Sequence, residues 1–237
     1  MPPAPGLSTL QDVNRREFLQ TTSTLAALAA LHRPIGAAAP PPGRKMTVAL
    51  VPGSIGVSVK SQIELNDLAH RHRFESVQPL SDELASMSPR QLADILGDLK
   101  ARGLVWAAAG LPVDFRKDEQ TFKDGLEKLP RIAAALQRAG ATRVGTWLFP
   151  GHPELTYVAN LNQHASRLRA VSQVLADHGL RLGLEYVGTQ SLLLRDRYPF
   201  VHTMAETRDL IAAIGAANVG FVLDSWHWWT AGDTEAD

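Results

Sequence analysis

Residues 179–187 read Gly-Leu-Arg-Leu-Gly-Leu-Glu-Tyr-Val, a short apolar run that begins just after a helical stretch and its terminal glycine. The same succession recurs along the chain, because Gly103, Gly140 and Gly215 also follow helical stretches and precede new apolar runs. Glycine ends a helix readily, since it adopts the left-handed conformation without a steric penalty. This regular alternation predicts an α/β fold with a parallel sheet that is covered by helices.

The alternation extends over about six strand–helix units. The predicted strands are residues 46–52, 76–80, 104–109, 143–149, 181–187 and 219–224. The predicted helices are residues 62–72 and 89–102, a long helix that ends near residue 139, and residues 159–178 and 204–214. A last helix is expected to begin near Asp233.

Two parallel architectures fit this pattern, an open doubly wound sheet and a barrel. The first strand is followed by Gly53-Ser54-Ile55-Gly56, which lacks the G-x-G-x-x-G spacing of a dinucleotide-binding sheet. Metal-competent residues at the ends of late strands favour a (β/α)8 TIM barrel, where chemistry gathers at the carboxyl ends of the strands. A full barrel takes ~250 residues, so we expect an incomplete barrel, with a complete open sheet as the alternative.

Composition excludes several kinds of site. The chain has 237 residues, a formal net charge of zero and no cysteine. Without cysteine it has no disulfides, thiolate metal sites or cysteine nucleophile. A balanced charge argues against a nucleic-acid partner, and no apolar run reaches the ~20 residues of a membrane-spanning helix.

Residues 1–45 are predicted to be an export leader and linker, and residues 46–237 the barrel domain. Arg15 and Arg16 precede an apolar stretch and then the small-residue run Ala37-Ala38-Ala39. This order is typical of a twin-arginine signal with an A-x-A cleavage site. It predicts a periplasmic protein; the alternative is a disordered tail that is rich in proline and alanine.

Three residues near the ends of the last two strands are candidates for a metal site. Glu185 and Asp224 lie at the carboxyl ends of predicted strands, and each shares a strand face with a preceding glycine, Gly183 and Gly220 respectively. His227 follows Asp224 by three residues. Two carboxylates and an imidazole suit Mn²⁺, Mg²⁺, Co²⁺ or Zn²⁺. The alternatives are a salt bridge for Glu185, a helix cap for Asp224 and core packing for His227.

Other residues near the strand ends are candidates for substrate binding. Trp147 and His202 lie at or after the fourth and fifth strands, and Trp226 stands beside His227. Aromatic faces can stack on the C–H faces of a sugar, although packing in the core is an equal alternative for the tryptophans.

The endings Gly-Leu-Glu185-Tyr and Val-Leu-Asp224-Ser-Trp-His227 resemble those of the sugar phosphate isomerase/epimerase family, a branch of the xylose isomerase-like barrels. The resemblance covers about residue 47 to the end of the chain. It implies that Glu185 is a metal ligand placed for proton transfer, that Asp224 is a metal ligand, and that His227 contacts substrate or metal. It also implies a histidine from a seventh strand and a glutamate from an eighth, which have no counterpart here. The chain is therefore expected to be truncated, and its own activity is left open.

The resemblance implies a metal-dependent sugar isomerase or epimerase that abstracts a proton beside a carbonyl and proceeds through an enediolate. Export favours a free sugar, a keto-glycoside or a cyclitol over a phosphorylated sugar. A keto-glycoside lyase, a non-catalytic sugar-binding protein and, with less support, an endonuclease-like protein are the alternatives. Self-association into a homo-oligomer is compatible with the sequence.

Overall fold

Successive parallel strands are joined by helices in this computed structural model, which describes residues 45–237. The strands are β1 Ala49–Leu50, β2 Ser76–Val77, β3 Val105–Trp106, β4 Ala109–Gly110, β5 Arg143–Trp147, β6 Gly151–His152, β7 Arg181–Glu185, β8 Tyr198–Pro199 and β9 Val219–Phe221. The helices are α1 Gln62–Arg71, α2 Ser81–Ser86, α3 Pro89–Ala101, α4 Glu119–Arg138, α5 Tyr157–Asp177, α6 Gln190–Leu193, α7 Met204–Ile214 and α8 Ser225–Ala231. A single 3₁₀ turn, Pro52–Ile55, follows β1.

The order of the strands is that of a barrel wall. One parallel sheet has the order β1-β2-β3 and the next has the order β4-β5-β7-β9, so within each sheet every strand pairs with its predecessor among the parallel strands. A doubly wound sheet would instead reverse its order at a switch point. Within residues 45–237, β1 and β9 each pair with one neighbour and the wall does not close. The predicted incomplete barrel is therefore confirmed over the described residues.

The helix ends follow the local signals. Ser61, Ser88, Asp118 and Thr203 each cap a helix by accepting a backbone N–H with the side chain, and Ser88 forms a full capping box with Gln91. Left-handed glycines follow five helices: Gly103, Gly140, Gly179 and Gly215, with φ between 68° and 76°, and Gly232, with φ 79°. The glycine joints expected from the sequence are thus present.

A hydrophobic layer between sheet and helices holds β7 in place. Leu182 and Leu184 are 1% and 0% exposed. Leu168, Val171 and Leu175 of α5 belong to the same core cluster. Side chains alternate along a strand, so burial of these leucines toward the helices turns Gly183 and Glu185 toward the barrel interior.

Two predictions about elements were wrong. The chain enters α8 at Ser225, directly after Asp224, and residues 233–237 contain no helix where one was expected near Asp233. The predicted strand 104–109 consists of two short strands, β3 and β4, which belong to different sheets. The antiparallel pair β6–β8 was not predicted, and it joins the loop after β5 to the segment before α7.

The predicted twin-arginine leader lies outside the described residues, but for Lys45, so export stays a prediction. Among residues 45–237, none of the helices combines the length and the hydropathy that a membrane crossing requires.

Candidate metal centre

Glu185, Asp224 and His227 meet at the carboxyl ends of β7 and β9. Each offers one potential ligand atom, and these atoms all lie within 4.8 Å of one another. All three side chains are half-buried. The structure therefore brings together the three residues that the sequence predicted as metal ligands.

A row of four glycines precedes the strand ends that carry this cluster. Gly110, Gly145, Gly183 and Gly220 are partners in register on β4, β5, β7 and β9. A Cβ atom on Gly183 would lie 2.7 Å from Cγ2 of Val222, so the valine occupies the volume that a side chain at Gly183 would need. Sequence reasoning noted only the two glycines that precede the acids. The signal for the other two was the recurrence of a glycine in or directly after each of the last four predicted strands.

Asp224 caps α8 from within the candidate cluster. Its Oδ1 accepts the backbone N–H groups of Trp226 at 2.7 Å and His227 at 3.1 Å, which caps α8. Both capping bonds end on Oδ1, and neither involves Oδ2. Asp224 can therefore cap the helix and still offer Oδ2 to a metal ion. The cap also fixes the orientation of the carboxylate and places His227 in the first turn of α8.

The environment of the cluster disfavours two free negative charges. Burial raises the pKa of the Glu185 carboxyl, and the neighbouring Asp224 carboxyl raises it further. A proton shared between the two acids relieves this cost, and a divalent cation would do so as well. His227 supports the second arrangement, because its Nδ1 is buried without a hydrogen-bond partner.

Gly188 sets the distance between β7 and α8. A Cβ atom there would lie 2.8 Å from both the nitrogen and the Cβ of Ala231, and closer still to the carbonyl oxygen of His227. Only glycine lets the helix approach this near. Sequence reasoning missed Gly188, since nothing in the local pattern shows what packs against it.

The other predicted substrate-binding residues, Trp147, Trp226 and His202, are not members of the cluster. Trp147, at the end of β5, is the register partner of Glu185 and is 42% exposed. Trp226 is 58% exposed on α8, with its ring 5.8 Å from that of Trp229. His202 pairs with Glu206 at 2.9 Å, a contact that raises the pKa of the imidazole. Their substrate-binding roles stay predictions.

Comparisons with known proteins agree with this architecture. The model of the xylose isomerase-like TIM barrel family matches residues 67–237. A xylose isomerase domain protein from Alicyclobacillus acidocaldarius is 37% identical, with a TM-score of 0.65 over 75% of this chain and 63% of that one. The chain thus spans less than two thirds of the length of that relative. No curated protein sequence matches.

Two more distant structures share the fold. The IolI protein, solved with a zinc atom, is 17% identical, with a TM-score of 0.61 over 80% of this chain and 66% of that one. The 3-keto-D-glucoside 4-epimerase YcjR from E. coli is also 17% identical, with a TM-score of 0.58 over 76% of this chain and 68% of that one. Together with the family match and the sequential parallel wall, these similarities settle the classification. The chain belongs to the xylose isomerase-like TIM barrel family.

Proposed function

We propose that this chain carries the metal-binding part of a divalent-metal-dependent sugar isomerase or epimerase. The observation that carries the proposal is the convergence of Glu185, Asp224 and His227 within 4.8 Å. The similarity to a 3-keto-D-glucoside 4-epimerase supports the reaction class, and the zinc atom of the IolI structure supports the cofactor class. Because the chain spans about two thirds of these proteins, the activity of the whole protein is part of the proposal.

The residues present fit a divalent ion. Two carboxylate oxygens and one imidazole nitrogen form a donor set that Mn²⁺, Mg²⁺, Co²⁺ and Zn²⁺ accept to different degrees. The buried Nδ1 of His227 lacks a hydrogen-bond partner, and a metal ion would satisfy it. Burial, and then repulsion from Asp224, raise the pKa of Glu185, and a bound cation would favour the ionised form of both carboxyl groups.

When bound, such an ion polarises a substrate carbonyl and stabilises the negative charge that develops on its oxygen. Glu185 then takes the proton from the carbon beside the carbonyl, and the electron pair of the broken C–H bond moves into the enediolate. Return of the proton to the neighbouring carbon, with transfer of the first carbon's hydroxyl proton to the former carbonyl oxygen, gives an isomer. Return to the original carbon from the opposite face gives an epimer and needs a second acid, which the family resemblance assigns to an eighth strand.

Asp224 and His227 position the reacting groups. The cap of α8 holds the Asp224 carboxylate in one orientation, so it does not need to reorganise when the substrate binds. Gly188 fixes α8, and with it His227, against the end of β7. A lyase acting on a keto-glycoside would begin with the same proton removal and differs only in the departure of a leaving group.

Deuterium exchange tests the proposed proton transfer. The full chain, loaded with Mn²⁺, is incubated in D₂O with D-fructose, D-psicose and 3-keto-D-glucose, and incorporated deuterium is measured by mass spectrometry. We expect uptake of one deuterium beside the carbonyl in at least one sugar, and its loss in Glu185→Gln. Glu127→Gln, an exposed acid on α4, is the matched control. Absence of exchange in all three sugars, or equal exchange in Glu185→Gln, would contradict the proposal.

A further inference from the structure

A second cavity opens beside the metal centre. It has a volume of about 520 Å³, and its lining includes Arg116, Trp147, Phe149, His152, Arg195 and Asp196. Trp147 pairs in register with Glu185, and neighbouring strands lie ~4.8 Å apart. None of the three metal-competent residues lines the cavity. It is therefore a separate compartment next to the centre.

Aromatic rings and arginines alternate along one side of the cavity. The rings of Trp147 and Phe149 lie 5.6 Å apart. The guanidinium of Arg116 lies 4.3 Å from the Trp147 ring, and that of Arg195 lies 4.3 Å from the Phe149 ring. Arg116 also donates to the carbonyl oxygen of Trp147, so its role is to support the tryptophan. The arrangement offers apolar ring surface that is held in place by cation–π contacts.

Both hydrogen-bond donors and hydrogen-bond acceptors line this cavity. Nδ1 of His152 accepts the backbone N–H groups of Glu154 and Leu155, so the neutral ring carries its proton on Nε2 and can donate it. The side chain of Arg195 is 56% exposed, and its guanidinium contacts the Asp196 carboxylate at 3.5 Å as well as the Phe149 ring. The Asp196 carboxylate is an acceptor, and the Arg195 guanidinium is a donor.

The charges that line the cavity nearly cancel. Arg116 and Lys117 both pair with Asp114, at 3.4 and 3.3 Å, and Arg195 stands beside Asp196. Mixed donors and acceptors without a large net charge match a neutral ligand whose hydroxyl groups donate and accept at once. Ring surface beside such groups matches the C–H face of a sugar ring.

The walls of the cavity are held together by the antiparallel pair β6–β8. His152 lies opposite Tyr198, and Gly151 lies opposite Pro199. A Cβ atom on Gly151 would lie 2.9 Å from the Cβ of Asp196, so the glycine allows the acid to approach the loop after β5. The two loops therefore form one preorganised wall rather than two independent segments.

We propose that this cavity is a subsite for a second, non-reacting ring, and that the substrate is accordingly a glycoside. The inference rests on the proposed function, because it places the reacting ring at Glu185, Asp224 and His227. A ligand whose reacting ring lies at the cluster reaches this cavity only by extending beyond that ring. Its second ring contacts the aromatic surface of Phe149 and forms hydrogen bonds with Arg195, Asp196 and His152.

Binding of paired sugars to the full chain tests the subsite. Isothermal titration calorimetry compares cellobiose, maltose and sucrose with D-glucose and with sodium D-glucuronate. We expect at least one disaccharide to bind roughly tenfold more tightly than D-glucose, the increment that one well-placed ring contact contributes. Phe149→Leu and Arg195→Gln should each remove this preference while leaving D-glucose binding unchanged. Leu194→Gln, 80% exposed and outside the cavity, is the matched control.

The outcomes separate the two proposals. No preference for any of the three disaccharides in a metal-loaded chain overturns the subsite and leaves the metal-dependent function standing. Tighter binding of D-glucuronate than of every disaccharide also overturns it, because the cavity would then select an anion. A disaccharide preference that depends on Phe149 and Arg195 in a chain that holds no metal supports the subsite and contradicts the proposed function.

Discussion

Replacement of Gly188 by alanine tests whether the close approach of α8 builds the metal centre. The new Cβ would lie 2.8 Å from two atoms of Ala231, whereas ordinary contacts begin at 3.4 Å, so α8 must move by more than about 0.6 Å. Overpacking of this kind typically costs about 1–3 kcal/mol. For a chain of this size that corresponds to a fall of ~3–10 °C in the melting temperature.

The displacement should weaken metal binding as well, because His227 moves with the helix. Loss of a supporting contact around a metal site typically lowers affinity by ~10–100-fold. Calorimetric titration with Mn²⁺ and differential scanning fluorimetry measure the two effects on Gly188→Ala. The matched control is Gly220→Ala, since no atom lies within 4 Å of the added Cβ. Unchanged melting and Mn²⁺ affinity in Gly188→Ala would refute the packing argument.

Two further predictions concern stability. Burial lowers the pKa of His164 to about 4. Above pH 6.5 the histidine is neutral in both the folded and the unfolded chain, and the free energy of unfolding is at its full value. As the pH falls from 6.5 toward 4, only the unfolded chain takes up the proton, and the free energy of unfolding decreases by about 3 kcal/mol. Urea unfolding at pH 7 and pH 5 should show a smaller loss in His164→Phe than in the unmodified chain; equal losses would count against this assignment. The hydroxyl of Tyr186 donates to Asp233 at 2.6 Å, and Tyr186→Phe should lower the free energy of unfolding by about 1–3 kcal/mol. Urea unfolding of Tyr186→Phe measures this change. An unchanged urea midpoint would show that the Tyr186–Asp233 hydrogen bond does not contribute to the free energy of unfolding.

Local chemistry made much of the fold predictable. Ser88 and Pro89 correctly predicted the start of α3, and the glycines after the long helices correctly predicted where the next strands begin. The start of α8 was missed because Trp-His-Trp-Trp has weak helix propensity, and because Asp224 was weighed chiefly as a ligand. The same carboxylate caps α8 and lies in the candidate metal cluster, and sequence alone shows only the residue type.

Contacts between distant residues were the features that sequence could not supply. The pair β6–β8 depends on residues 151–152 meeting residues 198–199, and no periodicity marks so short a ladder. The need for glycine at position 188 likewise comes from a helix that lies about forty residues later in the chain. By contrast, Glu185, Asp224 and His227 were identifiable, because charged and metal-competent residues at strand ends stand out against apolar strands.

The metal content of the purified chain tests the central claim most directly. Inductively coupled plasma mass spectrometry, after dialysis against Mn²⁺ or Zn²⁺, should find one divalent ion per chain. Glu185→Gln and Asp224→Asn should each lose it, while Asp177→Asn, an exposed acid at the end of α5, should retain it. Full retention of the ion in both site variants, or its absence from the unmodified chain, would contradict the account.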